Sequence, residues 1–250
     1  MNNAPQISAS IVCYHQEPQI LQKTVDSFLK TPLKKKLFLI DNSATNELQN
    51  HFNSDEIEYI FTGKNLGFGK AHNFILDKIT ANFHLILNPD VIFDGKIIPI
   101  LIKELNAKKQ VSFITPKVLN TDGQLQFVCR KQPTFFDLIN RKLLFSRKLL
   151  SKNEYRNQNL EKMFYPEFIH GCFMLFKTAD FKKLQGFDER YFLYMEDADI
   201  CRNILKINKR TLYFPSVQIT HQHQKGSSKS IKLFFYHLSS AIKYFLKWGF

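Results

Sequence analysis

The sequence is poor in the devices by which many proteins hold zinc, dinucleotides or a bilayer. Its four cysteines, Cys13, Cys129, Cys172 and Cys201, lie far apart and form no CxxC pair. They read as reduced, buried thiols of a cytosolic protein, which excludes a zinc finger or a disulfide frame. Nine glycines in 250 residues include no GxGxxG run and no GKS or GKT ending, which excludes a dinucleotide fingerprint and a P-loop. No apolar run approaches the ~18 residues needed to span a bilayer. The N-terminal Met-Asn-Asn-Ala-Pro-Gln lacks the charged n-region and apolar core of a signal peptide. Carboxylates are outnumbered: 22 Asp and Glu stand against 35 Lys and Arg, a formal charge of +13. That excess suits nucleic acid, an anionic membrane surface or a phosphorylated substrate.

What remains is a globular composition, 44% hydrophobic and 23% charged, long enough for one large domain. Short apolar runs bounded by turn residues read as buried strands at 7–14, 36–40, 57–61 and 83–87. Between the first two, Ile20, Leu21, Val25, Phe28 and Leu29 keep a helical spacing. That alternation predicts a parallel sheet of βαβ units. Polar residues follow the strands: Tyr14 and Glu17, then Asp41 and Asn42, then Asn88-Pro89-Asp90. Pro89 cannot donate to a ladder, so the fourth strand ends at Asn88 and Asp90 sits on a stiff turn. Ligands bind at this edge of open α/β sheets, and a carboxylate fixed there suits a divalent cation bridging nucleotide phosphates. An ordinary Asx-Pro turn is the competing reading. Before that strand, Gly67 and Gly69 precede a predicted helix over 71–79 and let backbone N–H groups approach an anion.

The second half predicts a helix at 97–105, a strand at 111–114 and a hairpin turn at Asn120-Thr121-Asp122-Gly123. Residues 134–152 mix Phe135, Phe136, Leu143 and Leu144 with Arg141, Lys142, Arg147 and Lys148; this is either a core helix with a solvated basic face or a segment against membrane phosphates. Residues 168–176 read as a buried strand, with Gly171 where another group comes close. Glu196, Asp197 and Asp199 then open a helix ending near Asn208. The helix dipole alone favours acids there, but a carboxylate so held can also take the proton of a substrate hydroxyl. Short strands at 211–214 and 217–220 flank Pro215 and lead to His221-Gln222-His223. Lys225, Ser227, Ser228 and Lys229 follow, and these suit diphosphate oxygens. In the last stretch Ile231, Phe234, Phe235, Leu238, Ile242 and Phe245 share a helical face, with Lys232, Lys243 and Lys247 on another. This is a helix packed on the domain, a basic amphipathic membrane helix, or both on opposite sides.

The order of Tyr-His-Gln-Glu, Asp-Asn-Ser, Asn-Leu-Gly-Phe-Gly-Lys-Ala-His-Asn and Leu-Asn-Pro-Asp-Val, with Gly-Phe-Asp-Glu-Arg-Tyr-Phe-Leu-Tyr-Met-Glu-Asp-Ala-Asp-Ile-Cys later, resembles family 2 glycosyltransferases. Within them it resembles the bacterial rhamnosyltransferases of O-antigen and related lipopolysaccharide assembly. The resemblance implies the α/β GT-A fold, a Rossmann-like mixed sheet with helices on both faces. One domain would cover 1–225, a nucleotide-sugar half at about 1–95 and an acceptor half at 96–225, followed by a C-terminal helix at 226–250. It implies a metal-dependent, inverting glycosyl transfer with Mg²⁺ or Mn²⁺. The implied donor is dTDP-L-rhamnose, with UDP-galactose or UDP-glucose as alternatives, and the acceptor a polyprenyl-diphosphate-linked saccharide. By the same resemblance Asp197 is the general base, with Glu196, Asp199, His170 and Gly171 around the acceptor. Tyr14, Glu17, Asp41, Asn42, Asn65, Gly67, Gly69, Asn73 and Asn88 line the donor pocket, and Asp90 and His221 hold the metal. Two departures stand out: Asn88 replaces a frequent carboxylate, and Asn203 an arginine, with Arg202 beside it. The implied location is cytoplasmic, peripheral on the inner leaflet of the bacterial plasma membrane. A catalytically inactive homologue and a basic nucleic-acid-binding protein are the other classes. The latter lacks any RRM, KH or helix-turn-helix pattern, so no nucleic acid is expected as partner.

Overall fold

The apolar run Ile7–Cys13 forms strand β1 at the middle of the first half. The computed structural model describes the chain over residues 5–135, 151–222 and 231–249. On either side of β1 lie β2 (Lys35–Asp41) and β4 (Phe83–Leu87), both parallel to it, and β3 (Ile57–Phe61) lies parallel to β2. Helix α1 (Pro18–Leu29) makes the first crossover and buries Leu21, Val25 and Phe28. Its Pro18 occupies the first helical turn, where a missing N–H costs nothing. These are the predicted βαβ units. β4 is buried at every position, as a parallel strand covered on both faces must be.

Beyond β4 the sheet becomes mixed. β9 (Phe173–Lys177) runs antiparallel to β4 and to β6 (Val111–Leu119), while β10 (Arg210–His221) lies parallel to β6. The short β5 (Val91–Ile92) closes the edge antiparallel to β10. Among the described residues the sheet has eight strands, ordered β3-β2-β1-β4-β9-β6-β10-β5. A separate ribbon pairs β7 (Cys129–Arg130) with β8 (Phe168–Ile169). The remaining helices are α2 (Phe68–Asn73), α3 (Ile97–Ala107), α4 (Thr178–Lys183), α5 (Glu196–Lys206) and α6 (Ile231–Trp248).

Three local expectations change. The strand expected over 168–176 is broken at His170-Gly171-Cys172, where the Cys172 N–H turns back to the His170 carbonyl at 2.9 Å. The two short strands expected around Pro215 are one strand: β10 continues past a slip in register between Phe214 and Gln218, which absorbs the missing N–H of Pro215. The helix expected over 71–79 begins earlier and stops at Asn73, with a 3₁₀ turn at Leu76–Lys78 behind it.

A chain of buried polar groups ties this layer together, and nothing in the sequence reading anticipated it. Ser8 Oγ lies 2.8 Å from His84 Nδ1, Ser10 Oγ lies 2.9 Å from His84 Nε2, and Ser10 also meets His72 Nδ1 at 2.7 Å. Burial holds both rings neutral, with His84 lowered to about 3. The chain crosses from β4 through β1 to α2 and fixes that short helix against the sheet.

Candidate active site

A turn at the carboxyl edge of the sheet builds the first part of the site. The Asn88-Pro89-Asp90 turn follows β4 and is held from α1, where Thr24 Oγ1 donates to the Pro89 carbonyl at 2.8 Å. The Asn88 N–H donates to the Cys172 carbonyl at 3.0 Å. Antiparallel pairing of β5 with β10 sets His221 opposite Val91, which brings a residue from the far end of the chain to Asp90. His221 Nε2 lies 3.2 Å from Asp90 Oδ1 and 3.4 Å from Asn88 Nδ2, and Nδ1 lies 3.1 Å from Gln126 Oε1. Burial disfavours the imidazolium, but the Cys172 sulfur and the Asp90 carboxylate outweigh it and raise the ring to about 10. Gln126 is a partner that sequence reasoning missed: it sits in a loop and carries no motif. As an acceptor it takes the Nδ1 proton, while Nε2–H of the protonated ring donates to Asp90; a bound cation would have to displace that Nε2 proton.

Asp90 and His221 face each other as the donors that a divalent ion would meet. Among the described residues, no group of three or more His, Cys, Asp or Glu side chains surrounds one point. One carboxylate oxygen and one imidazole nitrogen fit an ion that takes its other ligands from diphosphate and water, as Mg²⁺ does beside nucleotides. The residues fit such an ion provided that a nucleotide completes its shell.

The glycine-rich turn forms the second part. Gly67 has φ +83°, and a Cβ there would fall 2.1 Å from the Phe192 carbonyl oxygen. The backbone therefore demands glycine twice over, for conformation and for space. Asn65 Oδ1 accepts from the Gly67 N–H at 2.9 Å, and Asn42 Nδ2 donates to the Gly67 carbonyl at 3.1 Å. Asp41 is wholly buried, and its two oxygens accept from Tyr59 OH at 2.7 Å and the Ser43 N–H at 2.9 Å. Tyr14 and Glu17 are exposed beyond the end of β1. Gly69 and Asn73 pack against Phe187. A Cβ on Gly69 would meet Phe187 at 2.8 Å, and the Asn73 amide makes two bonds to the Phe187 backbone, at 2.7 and 2.8 Å. These two hold α2 against the segment that leads into α5.

That segment supplies the third part. Tyr194 and Met195 both take φ of 70°, an uncommon left-handed pair that turns the chain sharply into α5. Asp197 Oδ2 accepts from the Gly171 N–H at 3.2 Å and Oδ1 from the Ala198 N–H at 2.9 Å. The break between β8 and β9 therefore serves this carboxylate. A Cβ on Gly171 would make only ordinary contact with Asp197 Cβ, at 3.5 Å, and with the Phe68 ring, at 3.6 Å. His170 lies beside Gly171 in the same break. Asn88, Cys172, Gly171 and Asp197 thus run as a bonded series from the Asp90 turn to the first turn of α5.

The two adjacent carboxylates differ. Glu196 is buried with Oε2 unpartnered; desolvation and then the charge of Asp197 raise it to about 8. Burial also raises Asp197, but the Gly171 and Ala198 N–H groups and the Arg130 guanidinium oppose that rise. Near neutral pH the pair therefore keeps its negative charge on Asp197 and its proton on Glu196. The stability that Glu196 contributes is complete below its unfolded value of 4.5 and is lost as pH rises through about 8. The wild-type urea midpoint should therefore fall between about pH 5 and pH 9; Glu196→Gln should remove the part of that fall below about pH 6.5, where His221, raised to about 10, does not yet contribute.

Asp199 is wholly buried and turned away from Asp197. It accepts from Tyr191 OH at 3.0 Å, Asn203 Nδ2 at 2.9 Å, Lys247 Nζ at 2.8 Å and Trp248 Nε1 at 2.7 Å. Asn203 offers only an amide, so the cation beside Asp199 comes from α6. Ser240, Ala241, Tyr244 and Phe245 of α6 are buried, with Tyr244 OH donating to Gln132 at 2.8 Å. Phe245 was expected on the same face as Ile231, but it packs inward beside Phe135. The expectations for residues 136–150, and for His223, Lys225, Ser227, Ser228 and Lys229, lie outside the described residues.

The model for the family described as "Glycosyl transferase family 2" matches residues 10–184. The chain is 24% identical over 247 residues to the rhamnosyltransferase WbbL of Escherichia coli K12, covering 94% of this chain and 90% of that one. It is 25% identical over 252 residues to the N-acetylglucosaminyl-diphospho-decaprenol L-rhamnosyltransferase of Mycobacterium tuberculosis, covering 92% and 81%. Among solved structures, GalNAc-T7 with UDP, GalNAc and Mn²⁺ superposes with a TM-score of 0.66 at 14% identity, over 94% of this chain and 48% of that one. The mannosyltransferase PcManGT of Pyrobaculum calidifontis, in complex with GDP-Man and Mn²⁺, gives 0.62 at 18% identity, over 90% and 59%. These likenesses establish the GT-A fold.

Proposed function

Since the chain belongs to glycosyl transferase family 2, and is thereby a glycosyltransferase, we propose that it moves L-rhamnose from dTDP-L-rhamnose onto a polyprenyl-diphosphate-linked saccharide. The reaction is read as one inverting displacement at the inner face of the bacterial plasma membrane. Asp197 takes the proton of the acceptor hydroxyl as the oxygen attacks the anomeric carbon. The bond from that carbon to the diphosphate breaks on the opposite face, and the nucleoside diphosphate leaves with the electron pair. The observation that carries this is Asp197 itself. Both its oxygens are oriented by backbone N–H groups, it holds the charge of the carboxylate pair, and it is bonded through Gly171 and Cys172 to the Asp90 turn. Asp90 and His221 would hold a Mg²⁺ or Mn²⁺, which supplies positive charge against the diphosphate leaving group. The Asn42–Gly67 clasp keeps the glycine turn shaped for the donor. The names of the two bacterial relatives support the sugar and the lipid-linked acceptor.

The test is turnover of dTDP-L-rhamnose, UDP-galactose and UDP-glucose with Mg²⁺ or Mn²⁺ on a short-chain lipid-diphosphate GlcNAc acceptor. Rhamnose transfer is the expected result; transfer only from a UDP-hexose would keep the mechanism and overturn the donor. Asp90→Ala should cut kcat by about 10²–10³-fold, as loss of one element of leaving-group stabilisation does. Chelation of divalent ions should remove activity in wild type and have little further effect on the variant. Undiminished turnover in chelator would overturn the metal assignment.

A further inference from the structure

We propose that the outward face of α6 seats the enzyme on an anionic lipid surface; this rests on the reading of the acceptor as lipid-linked. Ile231, Phe235, Leu238, Ile242 and Leu246 are between 43% and 77% exposed. At 3.6 residues per turn they fall within about 80° of arc, one continuous stripe along the helix. Lys232 is exposed at one border of that stripe, and beyond it Lys243 is exposed along its stem with its ammonium turned to the Arg190 carbonyl. Ser240 and Tyr244 on the opposite side of the helix are buried, as are Ala241 and Phe245 on the flank next to Leu238, where the helix meets the domain. A helix with one face in the core ordinarily shows polar residues on the other. Here the outer face is apolar, as in helices that lie in the plane of a membrane interface with lysines beside the acyl boundary.

Lipid fits better than a second copy of the chain. Five side chains offer less than the ~800 Å² per partner that a stable protein interface buries. Pairing two copies through this face would also bring together two chains of formal charge +13 and their bordering lysines. The same charge attracts an anionic leaflet. Among the described residues no helix is long and apolar enough to cross a membrane, so the contact proposed is shallow.

The inner side of α6 gives this docking a use. Ser240 Oγ donates to the Leu193 carbonyl at 2.9 Å, Lys243 Nζ to the Arg190 carbonyl at 2.8 Å, and Lys247 and Trp248 hold Asp199. The helix that meets the lipid therefore grips the segment that carries Asp197. An acceptor anchored in that surface would reach the site from the side on which α6 lies.

The experiment is co-sedimentation of the full chain with vesicles of phosphatidylcholine alone or mixed with phosphatidylglycerol. Wild type is compared with the double variant Phe235→Ser/Leu238→Ser, whose side chains face outward. Wild type should bind the anionic vesicles about tenfold better than the neutral ones, and the double variant should lose about tenfold of that binding. Its turnover on the soluble short-chain acceptor should stay within about twofold of wild type, while turnover on a long-chain acceptor in vesicles falls about tenfold. Unchanged sedimentation of the double variant overturns the proposal. So does a wild-type dimer in sedimentation velocity that the double variant dissolves, because it assigns the face to a second copy. Vesicle binding needs no turnover, so a wrong donor assignment would leave this readout intact.

Discussion

Asp197→Asn is expected to lower kcat by about 10²–10⁴-fold, the range for removal of a positioned general base. The KM for the nucleotide sugar should change little, because the glycine turn is held by Asn42, Asn65 and Phe192, none of which bonds Asp197. The amide has the shape of the carboxylate but one oxygen fewer. Either the Gly171 N–H or the Ala198 N–H, now bonded to Oδ2 and Oδ1, would face an NH₂ group instead. A buried donor left unsatisfied costs about 1–3 kcal/mol, so the variant should remain folded with a lower urea midpoint. Donor binding measured by calorimetry separates this small loss from the large catalytic one. A kcat within about threefold of wild type would show that Asp197 is not the base. Glu196→Gln is the informative neighbour: Glu196 is already neutral near pH 7, so its amide should leave most of the turnover in place.

The strand ends were legible in the sequence because β1, β2 and β4 are apolar runs that stop at turn residues, and a parallel sheet collects such stops on one edge. Asp90 could be placed from Pro89 alone. Asp197 could be placed from an acidic first helical turn after an aromatic run, together with the resemblance. What was not legible depends on partners far apart in the chain. Periodicity shows that α6 is a helix, but not that Tyr244 and Phe245 turn inward while Leu246 turns out. The burial of Ser8, Ser10, His72 and His84 is invisible in residues that look polar one by one. Asn73 and Gly69 read as part of a ligand loop because they follow Gly67. Their contacts with Phe187, more than a hundred residues later, give them a packing task. The break at His170-Gly171-Cys172 likewise looks like continuous strand until Asp197 is seen to need the Gly171 N–H.

Asp199→Ala should be the most destabilising change at the site, by about 3 kcal/mol, toward the low end for breaking one side of a buried ion pair. The argument follows from what would be left behind. Tyr191 OH, Asn203 Nδ2, Lys247 Nζ and Trp248 Nε1 all converge on this carboxylate, and alanine offers none of them an acceptor. Lys247 keeps Asp188 at 2.9 Å, which tempers the loss. Removing the cation instead, in Lys247→Met, leaves a wholly buried carboxylate with three neutral donors and no paired cation, and should cost nearly as much, about 2–3 kcal/mol. Asp199→Ala should also loosen the end of α6, so amide exchange over residues 240–248 should quicken more than elsewhere. The comparison separates two roles for a residue expected beside the acceptor. An anchor loses stability first and turnover as a consequence. A substrate contact would lose turnover with its urea midpoint unmoved, and that outcome would return Asp199 to the acceptor site. The geometry favours the anchor, because Asp199 is wholly buried and four donors of the protein already converge on its two oxygens.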